Sequence, residues 1–246
     1  MHPTRTLIAL AAVAGALLAL AGDGAAGSGT KEAHLGNMKA DRVLFLGNSI
    51  TLHAPATHIG WTGNWGMAAS AAEKDYAHLL LRRITEASGP MPQAMIENIA
   101  EFERNYGTYD VGSALKKPLE FKADLVVVAI GENVPAISSE EARSKFGDAL
   151  AKLLAALRKS SQPAIFVRSC FWPDKVKDEI LRDVCREAGG SFVDISGLAK
   201  DESHFARSER KFAHAGVAAH PGDKGMKAIA DAVWKAIAEP PSPAGH

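Results

Sequence analysis

Val43-Leu44-Phe45-Leu46-Gly47-Asn48-Ser49-Ile50-Thr51 decides the fold. An unbroken apolar run that ends at glycine marks a strand covered on both faces, as the strands of parallel sheets are. Open parallel sheets place their ligands outside the carboxyl ends of the strands. Ser49 stands just past such an end, and Gly47 permits the sharp turn that would present its hydroxyl to the crevice. Serine is also a favoured helix cap, so this stretch by itself leaves two roles open.

Working outward, the pattern repeats. Asp124 to Ile130 is a second strand, apolar from Leu125 on, that ends at Gly131-Glu132-Asn133. Ala164 to Val167 and Phe192 to Ile195 are further strands, and Ala94 to Ala100 is a weaker one interrupted by Glu97 and Asn98. Helical periodicity fills the intervals. One helix carries Tyr76, Leu79, Leu80 and Ile84 after Ser70-Ala71-Ala72-Glu73, which has the form of a capping box. A second follows Ser138 or Ser139 and carries Phe146, Leu150, Leu153, Leu154 and Leu157. A third runs from Val176 to Ala188, and the last carries Met226, Ile229, Val233 and Ile237. Strand and helix alternate without an internal repeat, so the expected class is α/β with a mostly parallel sheet.

The chain ends bound this domain. Leu7 to Ala21 is nearly all apolar behind Arg5 and closes on small residues, so residues 1–21 read as a signal peptide. The run is about 15 residues, short of the roughly 20 that span a bilayer. Residues 22–38 read as a flexible lead-in and 39–240 as a single domain, which implies a secreted or periplasmic protein with no stable membrane anchor. Lys plus Arg and Asp plus Glu balance at 28 each, and no basic run or stripe points to nucleic acid. Cys170 and Cys185 are either a disulfide, worth about 3 kcal/mol in the chain-entropy model, or two buried thiols. Their spacing suits no zinc motif, and no metal site is expected.

Three polar groups occupy corresponding places: Ser49 after the first strand, Asn133 after the third and His220 before the last helix. Acyl transfer needs a nucleophilic hydroxyl, a base and oxyanion donors, and these residue types match. Gly47-Asn48-Ser49-Ile50-Thr51, Gly131-Glu132-Asn133 and His220-Pro221 resemble the first, third and fifth blocks of the SGNH (GDSL-like) hydrolases, over Val43 to about Ile237. The resemblance implies a three-layer α/β/α sandwich with a flavodoxin-like sheet. It also implies Ser49 as nucleophile, His220 as base, and the Ser49 N–H with the Asn133 amide as oxyanion donors. The chain has no G-x-S-x-G elbow of the α/β-hydrolases.

Two positions depart from the family pattern. The acid three residues before the histidine is replaced by Val217, so a backbone carbonyl or a carboxylate from elsewhere must orient His220. Glu132, Glu101 and Glu103 are the candidates. The glycine of the second block falls near Glu103, so that either the Glu103 backbone N–H is the third oxyanion donor, or the loop is rebuilt and Glu103 and Arg104 have another role, or the two are an ordinary surface pair. Arg104, Trp61 and Trp65 are candidate substrate contacts, the two tryptophans being equally suited to sealing the Gly-rich loop Leu52 to Met67. His53, His58, His204 and His214 are weaker candidates, His214 being a spare base. The expected function is a cofactor-independent, secreted serine esterase for small O-acyl groups, foremost acetyl, on a small-molecule or carbohydrate ester. A catalytically weak acyl-glycan binding module and an O-acyltransferase are the alternatives.

Overall fold

A computed structural model describes residues 32–239. The expected signal peptide and the start of the lead-in lie outside the described residues. The lead-in is not loose throughout, however. It contains an antiparallel pair, β1 (His34–Leu35) and β2 (Met38–Lys39), whose Leu35 and Met38 pack against the main core. The Asp41 carboxylate accepts from the Ala33 N–H at 2.5 Å and pins the pair to the first strand of the sheet.

That strand is β3 (Arg42–Gly47), followed in the chain by β4 (Gln93–Asn98), β5 (Leu125–Ala129), β6 (Ala164–Arg168) and β7 (Ser191–Val193). All pairs are parallel, in spatial order β4-β3-β5-β6-β7. This is the flavodoxin-like order, in which the chain reverses direction across the sheet between β3 and β5. A crevice forms there, beyond the carboxyl ends of the strands. β4 has exposed and half-buried residues because it is an edge strand, which accounts for its polar interruptions.

Eight helices flank the sheet among the described residues: α1 (Tyr76–Ser88), α2 (Ala100–Asn105), α3 (Val111–Ala114), α4 (Lys116–Glu120), α5 (Glu140–Ser161), α6 (Lys175–Glu187), α7 (Ala215–Ala218) and α8 (Asp223–Ala238). Alternating side chains of the central strands define two cores. Val43, Phe45, Leu125 and Val127 face α1 and α8, meeting Leu80, Ile84, Ile229 and Val233. Leu44, Leu46, Val126 and Val128 face the other way, onto Phe146, Leu150 and Leu154 of α5 and Ile180 and Leu181 of α6. An unbroken apolar strand is what a sheet sandwiched between two helical layers demands.

The helix starts show where local chemistry overrode pattern. Ser139 caps α5 as expected, accepting from the Ala142 N–H. α1 does not begin at Ser70. Its cap is Asp75, which is fully buried and accepts from the His78 N–H at 2.8 Å and the Gly66 N–H at 3.0 Å. Serving both helix and preceding loop, Asp75 wins over the capping box. Ser70 instead donates from its N–H and its hydroxyl to Asp223 at the start of α8.

Cys170 and Cys185 are free and buried. They face different neighbours: a Cβ built on Gly131 would lie 2.5 Å from Cys170 Sγ, and one on Gly190 2.9 Å from Cys185 Sγ. Burial pushes both thiols up, that of Cys185 to about 11. Among the described residues no helix is long and apolar enough to cross a membrane, and no group of three or more His, Cys, Asp or Glu side chains is placed to hold a metal ion.

Candidate active site

β3 delivers Ser49 through a turn built by its neighbours. The Asn48 carbonyl accepts from the Thr51 and Leu52 N–H groups, both at 2.9 Å, and its side-chain oxygen accepts from the Ile50 N–H at 3.1 Å. Gly47 has no room for a side chain, since a Cβ there would meet Thr51 Oγ1 at 1.9 Å and the Ala129 carbonyl at 2.9 Å. The turn lifts the Ser49 hydroxyl out of the sheet edge and onto His220: Oγ to Nε2 is 2.8 Å.

His220 is held from both sides. Its Nδ1 lies 2.7 Å from the Gly216 carbonyl in α7. A carbonyl oxygen only accepts, so Nδ1 carries the proton and Nε2 offers its lone pair to the serine hydroxyl. The Trp172 ring meets the imidazole edge-to-face at 5.2 Å, and its Nε1 donates to the Ala219 carbonyl at 3.2 Å. Downstream, the Glu209 carboxylate accepts from the Asp223 and Lys224 N–H groups, both at 2.8 Å, and so caps α8 across a long loop. Burial holds the imidazole below its ordinary value of 6.5, with the nearby His53 acting in the same direction and the Gly216 contact against it.

The carboxylate candidates for orienting His220 do not take that place. Glu101 accepts from the Asn105 side chain on the surface. Glu132 is paired with Arg168, Oε1 to Nη1 at 2.6 Å, and accepts from the Phe171 N–H at 3.0 Å. Glu103 sits behind the opposite wall. Val217 is not a gap where an acid has been lost. It is buried in a small cluster with Trp61, Met67, Ala68 and Ala206, so it fastens the loop after Ser49 to the segment that carries His220.

Glu103 has a role its backbone was not needed for. One carboxylate oxygen accepts from the Gly131 N–H at 2.6 Å, the Asn133 N–H at 3.2 Å and Asn48 Nδ2 at 3.1 Å. The other accepts from Asn133 Nδ2 at 2.7 Å. Facing an acceptor, the Asn133 amide must present its NH2 group, whose second N–H has no partner among the described residues, and Asn133 lines a cavity with Ser49. Gly131 makes this possible with φ +124, a conformation that favours glycine. Asn48 Nδ2 also donates to Glu132 at 2.7 Å. An amide here donates to two carboxylates, where an aspartate in place of Asn48 would add a third acid. Burial and then the charge of Glu132 push Glu103 up, whereas Glu132, which burial would also raise, is held down by Arg168.

The elements that carry Ser49, Asn133 and His220 open on a cavity of about 320 Å³. Its lining brings together Ser49, His220, Asn133 and Arg104, with His53 and His214 from the weaker candidates, and Ala100 in place of Glu103. Trp61 and Trp65 are not in that lining. Trp61 is buried and donates to the His53 carbonyl at 2.9 Å, Trp65 donates to the Ala69 carbonyl at 3.0 Å, and the two rings meet edge-on at 5.6 Å. They seal the loop. His58 stands in a short 3-10 turn, and His204 contacts the Leu198 carbonyl through Nδ1. A larger cavity of about 670 Å³ lies at the amino-terminal edge of the strands, by Leu35, Met38 and Trp234, and carries no Ser–His contact. Arg168 and Glu209 were not picked out from sequence, since one ends a strand that reads as core and the other caps a helix 14 residues away.

Glu103→Gln tests the wall directly. An amide NH2 cannot accept from Asn133, so the Asn133 side chain loses its fixed direction. We expect kcat for a small ester to fall about tenfold, part of the loss seen when an oxyanion donor is deleted, with KM little changed. An unchanged kcat would show that Glu103 does not position Asn133.

No family model and no curated protein matches the chain. Among solved structures, a protein from Bacteroides uniformis ATCC 8492 described as a GDSL-like lipase superposes with TM-score 0.51 at 14% identity, over 80% of this chain and 95% of that one. The chain has the SGNH (GDSL-like) hydrolase fold. A second GDSL-like lipase of that description, from Bacteroides ovatus ATCC 8483, gives TM-score 0.51 at 12% identity over 80% and 97% of the two chains. A family two carbohydrate esterase from Cellvibrio japonicus superposes more loosely, with TM-score 0.47 at 18% identity over 80% and 61%. At the level of the fold the chain is therefore similar to proteins described as GDSL-like lipases.

Proposed function

We propose that the protein is a serine ester hydrolase for small O-acyl groups, foremost acetyl, working through a Ser49–His220 dyad. The observation that carries this is the hydroxyl-to-imidazole contact of 2.8 Å with the far ring nitrogen on the Gly216 carbonyl. Nucleophile, base and orienting group are in line, the arrangement that defines an activated serine.

In this reading Ser49 Oγ attacks the ester carbonyl carbon as its proton passes to His220 Nε2. The carbonyl oxygen becomes an oxyanion held by the Ser49 N–H and the free Asn133 amide N–H. Collapse breaks the bond to the alcohol oxygen, which takes the proton from Nε2 and leaves. Water then attacks the acyl-serine, gives a proton to Nε2, and Ser49 recovers it as the acid departs. The carbonyl partner fixes the tautomer as a carboxylate would, but places no countercharge beside the imidazolium. The cavity volume and its polar lining suit a small acyl group on a polar alcohol such as a carbohydrate. The apolar run of residues 7–21 supports export as part of the same reading.

A fluorophosphonate ester is the direct test. It should add covalently to one residue, located at Ser49 by peptide mass spectrometry. Absence of an adduct, or an adduct elsewhere, would overturn the proposal.

The pH dependence follows from the histidine. Only neutral His220 accepts the serine proton, and its pKa lies below 6.5. kcat/KM for a small neutral ester should therefore rise with pH along a limb whose midpoint is below 6.5, and be flat at neutral pH. A midpoint above 7 would mean that a different, or differently housed, base is at work.

A further inference from the structure

Resting on the esterase reading, we propose that the substrates are esters whose alcohol part carries an anionic group, a carboxylate, sulfate or phosphate, held by Arg104 at the rim of the catalytic cavity. Arg104 is exposed, lines the same cavity as Ser49, His220 and Asn133, and makes no hydrogen bond or ion pair among the described residues. Most other arginines of this domain that border structured elements are engaged: Arg42, Arg83, Arg143, Arg158, Arg168, Arg207 and Arg210 each have a carboxylate or carbonyl partner. A guanidinium left unengaged beside a nucleophile is a ready bidentate donor.

The remaining polar lining agrees. No carboxylate belongs to it. Glu101, three residues from Arg104 on the same helix, is turned to Asn105. His214 accepts from the Gly216 N–H through Nδ1, so its proton sits on Nε2 as a second donor. The negative charge of the site lies beneath the floor instead, on Glu103 and Glu132, the latter offset by Arg168. A permanent charge carried on the acyl group would thus sit nearest these carboxylates, whereas one carried at the rim meets Arg104 with no carboxylate in the lining. The acyl group stays on Ser49 after the first step while the alcohol leaves outward, so it is the alcohol that meets Arg104.

The test compares 4-acetoxybenzoate with its methyl ester, two phenyl acetates that differ in one charge, each rate corrected for its own reaction with hydroxide. Wild type should favour the carboxylate in kcat/KM by about tenfold, less at high ionic strength. In Arg104→Gln the ratio of the two substrates should fall to near one, through KM, and Arg104→Lys should restore part of it. A wild-type ratio near one, a ratio unmoved in Arg104→Gln, or a preference seen only when the charge is moved to the acyl side, as in a hemisuccinate ester, would each overturn the proposal. If neither acetate is hydrolysed in a Ser49-dependent way, the esterase reading has failed and this inference with it.

Discussion

Ser49→Ala and His220→Ala should each lower kcat/KM for a short acyl ester by about a thousandfold or more. Removing the hydroxyl deletes the atom that forms the acyl-enzyme. Removing the imidazole leaves that hydroxyl donating to nothing, with the proton of the attacking oxygen nowhere to go. The two losses should be similar because the contact of 2.8 Å joins them into one device. Neither change should cost much stability, since the pair is half-buried at the cavity and the sheet beneath is packed independently of it. Steady-state kinetics with 4-nitrophenyl acetate, beside denaturant unfolding of each variant, checks both halves. A variant that retains a tenth of wild-type activity would contradict the assignment.

Arg168→Met should destabilise the fold by about 3–5 kcal/mol, the cost of stripping the partner from a buried charge. Arg168 is fully buried at the end of β6, and the side chain of Glu132 is 3% exposed. Without the guanidinium, Glu132 keeps only the Phe171 N–H and Asn48 as donors, and lies close to a second carboxylate, Glu103. Arg168 Nε and Nη2 have no partner among the described residues, so the pair is imperfectly compensated as it stands. Neutralising both ends should then recover most of the loss: Glu132→Gln combined with Arg168→Met is expected to be the more stable of the two variants. A shift in denaturant midpoint equivalent to less than 1 kcal/mol for the single variant would show that the charge is relieved some other way. Asn48 links this pair to the turn bearing Ser49, so activity should fall with the single variant even where it remains folded.

The layered architecture was legible because its signal is strong and local. Val43 to Leu46 and Leu125 to Ala129 are apolar without interruption, and only a strand buried on both faces needs that. That Ser49, His220 and Asn133 come together around one cavity was legible because each follows or precedes such an element at the carboxyl end of the sheet. The partner of His220 was not, because a backbone carbonyl leaves no trace in residue type. Nor was the work of Glu103, whose four contacts come from two distant chain segments that meet it only in the fold. The capping box at Ser70 misled for a related reason. Asp75 can bind the helix and Gly66 together, and a tertiary contact of that kind outweighs a local motif.

The dyad itself is open to one decisive measurement, the rate of 4-nitrophenyl acetate hydrolysis by Ser49→Ala, His220→Ala and the double variant against wild type. A hydroxyl and an imidazole that act as one unit predict a double variant no slower than either single one, all three about a thousandfold or more below wild type. Losses that multiply, or a single variant that keeps the wild-type rate, would mean that the two groups work apart and that the ester bond is broken elsewhere.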